Sequence, residues 1–349
     1  MTNSDPRRLK VFKDIRSPGI ALSIARIPRT ERVFVGCSDF LIYEVDFAAE
    51  KPQATPFPKA AHESYITGLA LANDVLVSGS YDGKLVWWDL DQKKPVRTIN
   101  AHDKWIRRVI ASPDGKRIAS VADDMQCKLW DASSGSLIHT LSDHKALTPH
   151  NYPSMLYAVV FSADGKLLAS GDKVGHVAIW NPEAGKKIAE VESPGMYTWD
   201  PRQRRHSIGG IRSLAFSPDG KRLAVGGIGK IGNIDHLGGP ARTEIFDWKA
   251  GKSLHQLEDN KHKGLVEHII FHPDGKWFAT IGGDHKGFFT FYETESGKLF
   301  HQIGAQDHCH GGLFNEAFDR LYSVHHSHIM AWNLGAEKTA PVAARKPRR

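Results

Sequence analysis

Residues 76–89 read Leu76-Val77-Ser78-Gly79-Ser80-Tyr81-Asp82-Gly83-Lys84-Leu85-Val86-Trp87-Trp88-Asp89. Apolar residues alternate on both sides of Asp82-Gly83, and Asp-Gly is a strong hairpin-turn signal because its glycine accepts a positive φ. The stretch predicts a strand, a tight turn and a second strand that ends in Trp-Asp. Ala61-His62 stands before it. Variants of this unit fill most of the chain, so a repeat organises the sequence.

Seven units can be counted. The second runs from His62 to Asp89. The third runs from His102 to Asp131, with Ser112-Pro113-Asp114-Gly115 as its first turn. The fourth contains Phe161-Ser162-Ala163-Asp164-Gly165 and ends at Trp180-Asn181. The fifth contains Phe216-Ser217-Pro218-Asp219-Gly220 and ends at Ile245-Phe246-Asp247. The sixth contains Phe271-His272-Pro273-Asp274-Gly275 and ends at Phe291-Tyr292-Glu293. The first (Ile20 to Asp46) and the seventh (His308 to Asn333) are degenerate, as terminal repeats commonly are.

Arg8-Leu9-Lys10-Val11-Phe12-Lys13 reads as a strand and resembles four segments that each follow a Trp-Asp-type strand, among them Lys94–Ile99 and Ser136–Leu141. This copy has no such strand before it, and none follows Ala331-Trp332-Asn333-Leu334. One orphan at the front and one gap at the back predict a ring closed by joining them, which removes exposed sheet edges.

The totals narrow the function classes. The chain has 349 residues, 41% apolar and 24% charged, and no apolar run near the ~20 residues that span a bilayer. The N-terminus lacks the apolar segment of a secretory signal. Three scattered cysteines, Cys37, Cys127 and Cys309, argue against a disulfide framework and for a reducing cytoplasm. Of the net charge of +7, four units come from residues 335–349, so a basic pI says little about a nucleic-acid surface. The expected layout is a disordered 1–8, a repeat domain over 9–334 and a disordered basic tail over 335–349.

The order His, Ser-Pro-Asp-Gly, Ser-x-x-x-Asp-Gly, Trp-Asp resembles the WD-repeat β-propeller family over roughly residues 9–334. The Ser-Pro-Asp-Gly-Lys-Arg style is similar to its bacterial members. The resemblance implies an all-β, seven-bladed propeller of four-stranded antiparallel blades. It also implies a hydrogen-bonded Trp, Ser/Thr, Asp and His chain within a blade. His62, Ser78, Asp82 and Trp88 match that tetrad, as do His102, Ser120, Asp124 and Trp130. The fourth unit keeps His144, Ser170 and Trp180 but has Val174 in the acid position. The sixth keeps His262, Thr280 and Asp284 but has Tyr292 for Trp. The fifth has Val225 and Phe246 and no clear His, so packing is expected to replace the polar network there.

Three insertions break the spacing: residues 144–155, 193–206 and the glycine-rich 228–242. The family's strand order places all three on one rim, the top face, over the fourth and fifth blades. Long loops on a rigid scaffold are where binding surfaces usually lie. The second insertion sets Met196, Tyr197 and Trp199 beside Arg202, Arg204 and Arg205, a composition enriched at protein interfaces. Solvated arginines on a self-packed loop are the plainer alternative. The family also presents one inner-strand residue per blade at the channel mouth: here Thr67, Arg107, Tyr157, Arg212 and Glu267, with Tyr65, Tyr81, Trp105 and Asp123 nearby.

Of the 19 histidines, His62, His102, His144, His262 and His308 recur at blade starts. A further group, His310, His325, His326 and His328, clusters near Cys309 without a zinc-type spacing, so no metal and no cofactor is expected. No catalytic motif or phosphate loop is present. The reading is a non-enzymatic, cytoplasmic scaffold that binds a protein or peptide by its top face, with no membrane or small-molecule substrate. A channel-mouth enzyme of lactonase or oxidoreductase type, and nucleic-acid association through the arginines and tail, are the alternatives.

Overall fold

The structure, a computed structural model, describes residues 4–201 and 206–335. Its described residues form seven four-stranded antiparallel sheets and one two-stranded hairpin. Each sheet is one sequence unit. The inner strands are Ala21–Arg26, Ile66–Ala72, Ile106–Ala111, Leu156–Phe161, Ser213–Phe216, Leu265–Phe271 and Cys309–Phe314. They contact one another in order, and the last contacts the first.

The turns that set this register are built as their sequences require. In blade 3, Ser112 Oγ donates to Asp114 and accepts from the Arg117 amide, while Gly115 takes φ +67°. Ser162 and Ser217 bond Asp164 and Asp219 in the same way. A side-chain L-residue disfavours that backbone region, so glycine is required there.

The ring closes as the orphan strand predicts. Lys10–Arg16 pairs antiparallel with His328–Asn333, from Lys10 opposite Asn333 to Arg16 opposite His328, with a bulge between Val11 and Lys13. Residues 6–8 depart from the disordered N-terminus expected of 1–8. Asp5 caps a 3-10 turn over Pro6–Arg8, the Asp5 amide donates to Leu334 O at 3.1 Å, and Leu9 is buried in the core. Residues 336–349 of the tail lie outside the described residues.

The core is divided among the joints between blades. Seven buried clusters each join neighbouring sheets, from Ile66, Leu76 and Trp88 against Phe34 and Ile42 to Tyr322 and Val324 against Val33 and Val35. A sheet buried on both faces reads as a continuous apolar run, which is why Leu85-Val86-Trp87-Trp88 does not alternate. The exposed outer strand Lys94–Asn100 does alternate.

Inside the blades the polar chains are laid out residue by residue. In blade 2 the His62 ring bridges Asp82 (3.0 Å) and Ser78 (2.7 Å), and Trp88 Nε1 donates to Ser78 at 2.8 Å. Blade 3 repeats this with His102, Asp124, Ser120 and Trp130. Blade 4 corrects the sequence reading. Val174 is not a gap, because Asp172, two residues earlier, takes the acid's role at 2.9 Å from His144.

Blade 7 also completes a chain, with acid and base exchanged. Trp332 donates to Ser323 at 2.7 Å, Ser323 meets His325 at 2.7 Å, and His325 Nδ1 meets the Asp307 main-chain O at 3.3 Å, with the carboxylate 3.5 Å away. Blade 6 does not assemble one. His262 Nε2 has no partner there, and Asp284 reaches only His285. Its place is taken by packed rings, with Phe278 stacked 5.3 Å from Tyr292. In blade 5, Val225 and Phe246 join the apolar cluster shared with blade 4.

Candidate partner-binding face

Tyr65 and Trp105 stand immediately before the inner strands of blades 2 and 3. The same backbone bond pins both: the Tyr81 amide donates to Tyr65 O, and the Asp123 amide to Trp105 O, each at 3.0 Å. The Tyr81 ring then lies between them, 5.7 Å from Tyr65 and 4.6 Å from Trp105 with planes 9° apart. Phe40 extends the row, 6.1 Å from Tyr65. Phe40, Tyr65 and Trp105 are 37%, 41% and 50% exposed, which makes an aromatic shelf across three blades.

Sequence reading missed Phe40. Its signal was a bulky residue where the repeat puts the turn glycine: Phe40 follows Asp39 as Gly83 follows Asp82, and holds φ at +71°. A large side chain in that strained region is worth a functional question.

Arg107 braces the shelf from behind. It grips Asp123 with Nε and Nη2, donates from Nη1 to the Tyr81 hydroxyl at 2.7 Å, and lies 5.2 Å from the ring centre of Trp105. Burial alone would weaken the cation, but the bonds to Asp123 hold its pKa above the usual arginine value. Tyr81, Asp103, Lys104, Trp105, Asp123 and Met155 line a cleft of about 430 Å³ beside it.

Deeper in the mouth, Arg212 lies over the Tyr157 ring, 3.5 Å from its centre. Glu267 is half-buried and faces His308 at 3.4 Å; desolvation opposes its charge, yet His308, Arg212 and His310 hold its pKa down at about 2. It is a fixed carboxylate at neutral pH, not a proton shuttle. Below it Arg108 spans the channel from blade 3 to blade 6. Its Nη1 donates to His268 Nε2 and its Nη2 to Glu267 O at 3.1 Å. Burial and Arg108 lower the His268 pKa to about 3, so the ring is neutral and donates through Nδ1 to Gly312 O. Thr67 donates to Ile106 O at 2.6 Å, tying blade 2 to blade 3.

The three insertions gather over blades 4 and 5 and pack on one another. His150 of the first stacks on Trp199 of the second at 4.2 Å and bonds the Tyr197 hydroxyl at 2.9 Å. The Ile231 amide of the third donates to Thr198 Oγ1 at 3.1 Å. Met196 is fully buried in the core, so Trp199 and Tyr197 are half-buried members of a loop cluster, not free anchors. Arg202, Arg204 and Arg205 lie outside the described residues.

The histidines of the irregular unit go to separate tasks. His325 serves the blade 7 chain, His328 bonds Asp14 at 2.7 Å, and His310 stacks on His308. Among the described residues, one group of three metal-capable side chains converges: Asp143, His176 and Glu190. Lys187 already bridges Asp143 and Glu190 at 2.7 Å, and His176 bonds Asp143 and Glu192. Those charges neutralise one another.

Comparison with known proteins agrees with this geometry. The family model described as the WDR19 second beta-propeller matches residues 38–174, and that of the WD domain, G-beta repeat, matches 201–230 and 251–286. The chain is a WD-repeat β-propeller. The propeller is 28% identical to the WD repeat-containing protein VIP3 of Arabidopsis thaliana over 57% of this chain and 56% of that one. It is 27% identical to a guanine nucleotide-binding protein subunit beta of Oryza sativa subsp. indica over 49% and 43%. To Telomerase protein component 1 of Rattus norvegicus it is 27% identical over 80% of this chain, which spans 9% of that protein. These relatives are eukaryotic and lend no support to a bacterial-type member. Among the described residues no helix is long and apolar enough to cross a membrane.

Proposed function

We propose that this propeller is a non-enzymatic scaffold that docks a protein or an extended peptide on its top face, over blades 1 to 3. Propellers of this repeat family typically act as protein-interaction scaffolds. The observation that carries the reading is the Phe40–Tyr65–Tyr81–Trp105 shelf, held rigid by Arg107. Exposed aromatic side chains whose rotamers are already fixed lose little entropy on binding, and aromatic and Arg side chains dominate binding energy at interfaces.

Asp103, Lys104 and Asp123 around the cleft supply the polar rim. Three buried thiols without disulfides, Cys37, Cys127 and Cys309, suit a reducing compartment such as the cytoplasm.

The test is affinity capture from the source cell with the intact chain and with Tyr65→Ala/Trp105→Ala, quantified by mass spectrometry. A defined partner should fall at least tenfold with the double variant while the circular dichroism spectrum stays unchanged. Equal recovery of every partner sinks the reading.

A further inference from the structure

Three cations in the channel mouth have too few acceptors. Arg212 has its Nη1 buried without a hydrogen bond among the described residues, and its guanidinium lies over the Tyr157 ring within electrostatic reach of Glu267. Lys173 is 5% exposed, and no described residue pairs its ammonium. Arg108 keeps a buried Nε unpartnered above its bonds to blade 6.

Arg212 lies within electrostatic reach of both others. The Ile211 amide donates to Asp172 O at 3.1 Å, so Lys173 and Arg212, one residue further along each segment, are neighbours. Burial first, and the charge of Arg212 second, weaken the Lys173 cation; burial and Arg212 weaken Arg108 likewise, against Glu267.

The nearby acids do not balance this. Asp123 is bound twice by Arg107, and Glu267 is engaged with His308. A buried cation without a partner is costly, and apolar side chains of similar size would serve stability better. Groups that persist in so unfavourable an arrangement mark a site for a ligand of opposite charge.

We infer that the channel mouth is an oxyanion site: a carboxylate or phosphate, carried by the docked peptide, enters between Arg212 and Lys173 above Arg108. The guanidinium offers a planar pair of donors to such a group, and the ammonium a point charge. Tyr157 fixes the guanidinium from one side, and the buried Nη1 is the donor left for the ligand. The inference rests on the docking reading of the same face and names the chemistry of what docks.

Sodium phosphate and, separately, N-acetylglutamate are titrated into the full chain at constant ionic strength set with sodium chloride, read by calorimetry and by unfolding temperature. The expected result is a saturable response to at least one probe, weakened at least tenfold in Arg212→Gln and in Lys173→Met. Lys173→Met is also expected to raise the unfolding temperature of the anion-free chain, a readout that stands if Arg212→Gln folds poorly. A response confined to phosphate assigns a phosphorylated side chain; one confined to N-acetylglutamate, or shared by both, assigns an acidic side chain. Absence of a saturable response to both probes, or an unchanged response in Lys173→Met, overturns the inference.

The two readings fail separately. Partner capture that depends on Trp105, without any anion response, removes the oxyanion site alone. An anion response without Trp105-dependent capture removes the docking reading alone.

Discussion

Arg107 clasps Asp123 through two hydrogen bonds, Nε to Oδ1 at 2.8 Å and Nη2 to Oδ2 at 2.6 Å, and both side chains are nearly buried. Removing the cation strands a carboxylate beneath the aromatic shelf. Arg107→Leu is expected to cost about 3 kcal/mol in urea unfolding, the usual penalty for breaking a buried pair from one side. Lys at this position restores the charge but not the fork, so Arg107→Lys recovers part of the stability at most.

Asp172, not residue 174, is the acid of blade 4. Asp172→Ala leaves the buried His144 ring with one partner and is expected to cost about 2 kcal/mol. Val174→Ala, at a half-buried position outside the chain of bonds, should cost under about 1 kcal/mol. Urea melts of the two variants side by side check the assignment, and equal losses contradict it.

The pair of strands that closes the ring predicts a cooperative loss. Ile15 lies opposite Ile329 in the ladder. Ile15→Pro deletes an N–H and forces φ in the strand that closes the ring, and is expected to cost about 1–3 kcal/mol. The far-UV spectrum and the melting temperature should fall together, since the seventh sheet cannot keep its outer strand.

His176 gives blade 4 a pH dependence. Burial works against its charge, but bonds to Glu192 and Asp143 outweigh that and raise its pKa to about 9. A folded-state value above the unfolded one stabilises fully below about pH 6.5 and is lost as pH climbs through about 9. Lys187 and Glu190 complete the network. The site is partly open to solvent, so the contribution is about 1 kcal/mol after screening. Melting temperatures between pH 6 and pH 10 should decline in the unmodified chain and flatten in His176→Gln.

What the sequence made legible was whatever depends on local chemistry. Asp82-Gly83 and Ser112–Gly115 announce their turns, because turn geometry needs those residues at those offsets. The orphan strand at residues 9–13 announced closure, because an unpaired edge must find a partner. What escaped depends on reach across space. Asp172 satisfies His144 from two residues away, and Asp307 with His325 rebuilds the chain with roles exchanged, since only donor and acceptor positions matter and not their order. The stacking of Phe40, Tyr65, Tyr81 and Trp105 crosses three blades, and no spacing within one unit reports it. Arg108 was overlooked beside Arg107 because a register shift between Ile106 and Arg108 interrupts strict alternation.

The outermost strand of the last sheet precedes the other three by the length of the whole repeat array. Residues 10–16 must wait, without a ladder, while over three hundred further residues are synthesised, and only then can they meet residues 328–333. Contacts so distant along the chain carry a high loop-closure entropy and form slowly. Joining the two strands is therefore a fastening event between distant parts of the array, and a protease acting before it finds residues 10–16 without a ladder.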